Sequence, residues 1–77
     1  MEVRFTAHGR RRLQDLQLLG IADDDVLSII ETPITRDRDP LTAETIDGLF
    51  RGRRIRVVYV QRAEYYLVIT LYAMGEG

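Results

Sequence analysis

The sequence predicts an α+β domain in which a helical hairpin packs on one face of a mainly antiparallel sheet. Three observations carry that expectation. Apolar residues recur at helical spacing up to about Glu31, and from Ile34 onward the period shortens toward alternation. Short breaks at Arg51-Gly52 and at Arg62-Ala63-Glu64 are tight enough to join neighbouring strands as hairpins. A brief extended segment precedes both helices, so the order is β-α-α-β-β-β within a single domain, residues 1–77.

Residues 2–5 read as a strand with Val3 and Phe5 on one side. Thr6 is a good N-cap for a helix over 7–19, whose stripe is Leu13, Leu16 and Leu19 or Gly20. Asp15 lies four residues after Arg11, a spacing that suits an ion pair, and Gly20 is a helix stop. Asp23, Asp24 and Asp25 then occupy the first turn of a second helix, where the helix dipole favours acids. Ile21 and Val26 have hydrophobic-staple spacing around Ala22, while Val26, Ile29 and Ile30 form the buried stripe. Thr32-Pro33 ends this helix near residue 31.

Residues 37–40 read as a polar connector, and 45–50, 53–61 and 65–72 as three strands of a meander. Ile46, Leu49 and Phe50 would also suit a helix, but strand is the preferred reading of 42–50. Strict alternation puts Ile55, Val57 and Tyr59 on one face, with Leu67, Ile69 and Leu71 beside them under the helices. The other face then carries Arg54, Arg56, Val58 and Val60 next to Tyr66, Val68, Thr70 and Tyr72. Such a face is too polar for a second core and too apolar for idle surface.

Composition narrows the function classes. A chain of 77 residues buries only about 60–65% of its unfolded surface, so a homodimer or a tight partner would help it. Without cysteine, disulfides, thiolate zinc sites and a thiol nucleophile are excluded, and a single histidine argues against any metal centre or cofactor. The longest unbroken apolar run, Val57-Val58-Tyr59-Val60, is too short to span a membrane, and no signal-like segment opens the chain, so a cytoplasmic protein is expected. Net charge is −1, yet it is segregated: +2 over residues 1–22, −6 over 23–47 and +3 over 48–77. The two basic segments could fold onto one face. Every cation is arginine, which codon bias explains as readily as phosphate binding does.

The residues with chemistry to offer are few. His8 titrates near neutrality and stands at a helix start directly before Arg10, Arg11 and Arg12, where it could move a proton beside an anion site. Its ring could equally bond a carbonyl or sit in solvent. The three arginines point 100° apart, so only one of them can address a given ligand. Arg53, Arg54 and Arg56 could clamp phosphate or simply discourage edge aggregation. Tyr66 and Tyr72 could stack bases while Thr70 positions a phosphate, or all three could be ordinary strand formers. Asp37, Asp39, Glu44 and Asp47 read as loop and solvent-face acids.

Phe5-Thr6-Ala7-His8 with its arginine-rich helix, Gly20-Ile21 and Asp25-Val26 leading to Thr32-Pro33, the run from Gly52 to Val58, and the closing Val68-Ile69-Thr70-Leu71-Tyr72 together resemble a family of small bacterial domains in the RelE/BrnT-like toxin fold group. The resemblance implies the same β-α-α-β-β-β order. It also implies a metal-independent endoribonuclease site in which His8, Arg11 or Arg12, and Thr70 correspond to the family's N-terminal His, helix Arg and final-strand residue.

The leading expectation is therefore a toxin-like endoribonuclease or RNA-binding domain, with an antitoxin as possible protein partner. Attack by a neighbouring 2′-OH would use His8 as base or acid. Arg11 or Arg12 with Arg54 or Arg56 would neutralise the phosphorane, and Tyr66 or Tyr72 would stack a base. That reading places His8 and Arg54 or Arg56 in one cleft. The competing expectation is a non-catalytic interaction module that buries the open sheet face against a partner or a second copy.

Overall fold

A computed structural model describes residues 1–38 and 43–75. In chain order it contains strand β1 (Glu2–Phe5), helix α1 (Ala7–Asp15), a 3₁₀ turn (Gln17–Leu19), helix α2 (Asp23–Glu31), and strands β2 (Thr35–Arg38), β3 (Glu44–Phe50), β4 (Arg53–Gln61) and β5 (Tyr65–Ala73). The strands form one sheet ordered β1-β5-β4-β3-β2, antiparallel except for the parallel β1–β5 pair. Leu13, Ile21, Val26, Ile29 and Ile30 from the helical layer meet Ile46, Ile55, Val57, Tyr59, Val68 and Leu71 from the sheet in one core. The fold is thus the expected α+β arrangement, with one strand more than expected.

That extra strand is β2. Part of the segment expected as a connector, Asp37 and Arg38, pairs with β3 through the register Thr35↔Asp47 to Arg38↔Glu44. Residues 39 and 40 of the connector lie outside the described residues. An edge strand needs no apolar stripe to be held by backbone hydrogen bonds, which is why a polar sequence can occupy it. The first helix is shorter than expected. Its α segment stops at Asp15, and the chain tightens into the 3₁₀ turn before Gly20, whose left-handed φ of 77° closes the segment. Asp25 accepts the Ala22 N–H at 2.8 Å, which orients the start of α2.

The most consequential difference lies in β5. Val58 pairs with Thr70, but Tyr59 pairs with Val68, so Ile69 is an extra residue, a β-bulge. The bulge reverses the alternation below it. Val68 is fully buried, and Tyr66 packs against the core with its ring edge-on to Tyr59, centroids 5.4 Å apart. Tyr66 and Val68 therefore belong to the helix-covered side, and Leu67 takes the outward position opposite Val60. The expectation that Tyr66 stands beside Tyr72 on the open face is corrected accordingly.

Where β1 ends, α1 takes its place along the β5 edge. The Thr6 N–H donates to the Val68 carbonyl at 3.0 Å, and the Thr6 hydroxyl, also the helix cap, donates to that of Ile69 at 3.1 Å. One turn further on, the Arg12 Nε–H reaches the Leu71 carbonyl at 3.4 Å. Gly9 makes this approach possible: a Cβ there would stand 2.5 Å from the Val68 carbonyl oxygen. No helix among the described residues is long and apolar enough to cross a membrane.

Candidate functional site

The two-residue turn Arg51-Gly52 has positive φ at both positions, 52° and 81°, as a type I′ hairpin requires. It fixes the β3–β4 register so that Asp47 lies directly opposite Arg56, with Arg54 on the diagonal. Asp47, Arg54 and Arg56 all point away from the helices, because their neighbours Ile46, Ile55 and Val57 are in the core.

Asp47 is nevertheless only 1% exposed. Two arginines bond it. Arg56 donates through Nε at 2.7 Å and through Nη2 at 3.0 Å to the two carboxylate oxygens, and Arg54 donates through Nε at 2.8 Å. The Arg56 hydrogen bonds hold the Asp47 carboxyl below its ordinary pKa, against the upward push of burial, and Arg54 adds to the same effect. Arg56 in turn is raised, first by its bond to Asp47 and then by the nearby side chain of Tyr72, its neighbour on β5. The outcome is a fixed carboxylate–guanidinium cluster across two strands, with the Tyr72 phenol beside it on the third.

Around this cluster the open face carries Thr45, Val58, Val60, Leu67 and Thr70, all half-buried, and Leu49, which is 58% exposed. Of the residues that the sequence singled out, Arg54, Arg56, Thr70 and Tyr72 are on this face, and Tyr66 is not.

His8 and the α1 arginines form a second, separate place. His8 and Arg11 are one turn apart, exposed, and line a shallow depression of about 260 Å³ together with Ala7. Neither has a hydrogen-bond or ion-pair partner among the described residues. Their neighbours are engaged. Arg10 forms a bidentate pair with Asp23 at 2.9 and 3.1 Å and lies over the Phe5 ring. Arg12, rather than Arg11, pairs with Asp15 at 3.4 Å. Arg54 and Arg56 do not line the His8 depression. Asp47 draws them toward β3, whereas α1 lies along the far edge of β5, so the expected single cleft is replaced by two sites.

Asp47 is the functional candidate that the residue-by-residue reading missed, having been grouped with solvent-face acids. The signal was the tight turn at Arg51-Gly52, which dictates its pairing with Arg56. Among the described residues no group of three or more His, Asp and Glu side chains is placed to hold a metal ion. No family model, no curated protein and no solved structure matches the chain.

Proposed function

We propose that this protein is a cytoplasmic, toxin-like RNA-binding domain that cleaves phosphodiesters without a metal. The observation that carries the reading is the His8–Arg11 pair: the one histidine and the one α1 arginine left unpaired among the described residues share a solvent-open depression. In that pose His8 takes the proton from a 2′-OH or delivers one to the leaving 5′ oxygen, and Arg11 stabilises charge on the phosphorane. Arg12 is tied to Asp15 and the Leu71 carbonyl, so it supports the helix rather than the reacting phosphate. Flanking nucleotides would cross the open face, where Tyr72 offers a ring and Thr70 a hydroxyl.

The test is cleavage of a mixed RNA pool in EDTA by wild type and His8→Ala. The variant is expected to lose about 10²–10⁴ in rate, the worth of a general acid–base group, with unfolding unchanged within about 0.5 kcal/mol because the residue is exposed. Activity that vanishes in EDTA, or that survives in the variant, refutes the mechanism.

A second reading has its own observation. Exposed Leu49 and half-buried Val58, Val60 and Leu67 give the open face an apolar component suited to a protein partner, an antitoxin or a second copy of the chain. Absence of any cleavage by wild type, together with a dimer in light scattering, favours that reading.

A further inference from the structure

Asp47 raises a question that stability does not answer. Burying a carboxylate between two arginines gains little over an apolar replacement, because desolvation offsets most of the attraction. Here, moreover, the burial is not by the core. The carboxylate is bonded on the sheet's open face by the side chains of Arg54 and Arg56, which remain 46% and 32% exposed. The arrangement acts on the arginines more than on the fold. A free arginine carries about 2 kcal/mol of rotamer entropy that binding must overcome, and Asp47 removes that cost beforehand by locking both chains at Nε.

The donors left over face outward. Arg54 commits only Nε to Asp47, leaving both terminal nitrogens without a protein acceptor among the described residues. Arg56 is held through both Nε and Nη2 on Asp47, with Tyr72 its neighbour on β5. Two guanidiniums and one carboxylate carry one net positive charge, the complement of the single negative charge on a phosphodiester. Val58, Val60 and Leu67 continue the surface as an apolar floor under the adjoining sugar and base.

We propose that Arg54 and Arg56 form a preorganised fork for one backbone phosphate of single-stranded RNA, and that Asp47 is its positioning residue. The proposal rests on the RNA-binding part of the functional reading but not on cleavage by His8. Asp47→Asn separates positioning from charge, since it raises the cluster from +1 to +2. If the arginines act merely as charges, RNA binding tightens. If Asp47 positions them, binding weakens in spite of the added charge.

The experiment is a fluorescence-anisotropy titration of a short fluorescein-labelled oligouridylate with wild type, Asp47→Asn, Arg54→Lys and the control Arg62→Gln. Amide hydrogen exchange checks the fold of each. Asp47→Asn is expected to bind about 10-fold more weakly. Arg54→Lys, which keeps the charge and loses the planar fork, is expected to lose about 10–100-fold, the worth of a charge-assisted hydrogen bond, with the salt slope unchanged. Should Asp47→Asn fail to fold, Arg54→Lys decides alone. Tighter binding by Asp47→Asn, or unchanged binding by Arg54→Lys, overturns the fork while RNA binding stands. No binding by wild type overturns both.

Discussion

The arginines of α1 and those of β4 have the same chemistry and opposite fates. On the helix, Arg10, Arg11 and Arg12 fan around the axis, so each meets a different neighbour. Arg10 finds Asp23 and Arg12 finds Asp15, both in pairs about half exposed, and Arg11 finds none among the described residues. On the strand, Arg54 and Arg56 share a face because the side-chain period is two, and a single carboxylate serves both. Consecutive spacing in a helix yields independent charges, whereas alternate spacing in a strand yields a unit. The helix cluster is therefore adaptable and easily screened, and the strand cluster is fixed.

Denaturant unfolding of two variants sets this contrast in numbers. Asp47→Ala strands two guanidiniums beside an apolar gap, and because they can turn back into water the loss is expected at the low end of about 3–5 kcal/mol. Acid gives the same answer from another direction. The Asp47 carboxyl titrates below its ordinary range when folded, so its stabilisation is complete above the unfolded value of about 3.9 and is lost as pH falls toward the folded one. Asp47→Asn should flatten that acid limb of the stability curve, and an unchanged limb would mean that the cluster contributes nothing.

Gly9→Ala probes the helix side, where the constraint is contact rather than charge. The new methyl group meets a backbone carbonyl that cannot rotate away, so α1 must lift from β5 at about 1–3 kcal/mol. Thermal melting of that variant at low and high salt should show equal losses. Smallest of all is Arg10→Ala, expected to cost under about 1 kcal/mol, since its pair with Asp23 is solvent-exposed. A larger loss would show that stacking on Phe5, rather than the ion pair, anchors that side chain.

Much of the architecture was legible because the sequence punctuates it strongly. Thr6 and Gly20 bound the first helical region, Thr32-Pro33 stops α2, and Arg51-Gly52 turns the hairpin where expected. The bulge was not legible. Val68 and the ring of Tyr66 can fill a core as Leu67 and Ile69 can, so both phases of alternation present a credible core face, and only pairing with β4 decides between them. Strand β2 was hidden for the opposite reason, since Thr35-Arg36-Asp37-Arg38 carries no apolar pattern and owes its place to backbone pairing. The proximity of His8 to Arg11 follows from helical spacing alone, but the separation of that pair from Arg54 and Arg56 depended on Asp47.

Ile69 gives β5 something like a reading frame. On its C-terminal side the strand is in phase with the hairpin that carries Arg56 and presents Tyr72 outward; on its N-terminal side the frame has shifted and Tyr66 is turned inward toward Tyr59. Exchange of Ile69 for another residue leaves that frame intact. Were Ile69 instead paired opposite Tyr59 in an unbroken ladder, the frame would shift and send Tyr66 and Val68 to the solvent side in a single step, whereas its deletion would only remove the bulge and leave Val68 opposite Tyr59. Whether this one position is paired or bulged, more than the identity of the residue there, decides which tyrosines the protein displays.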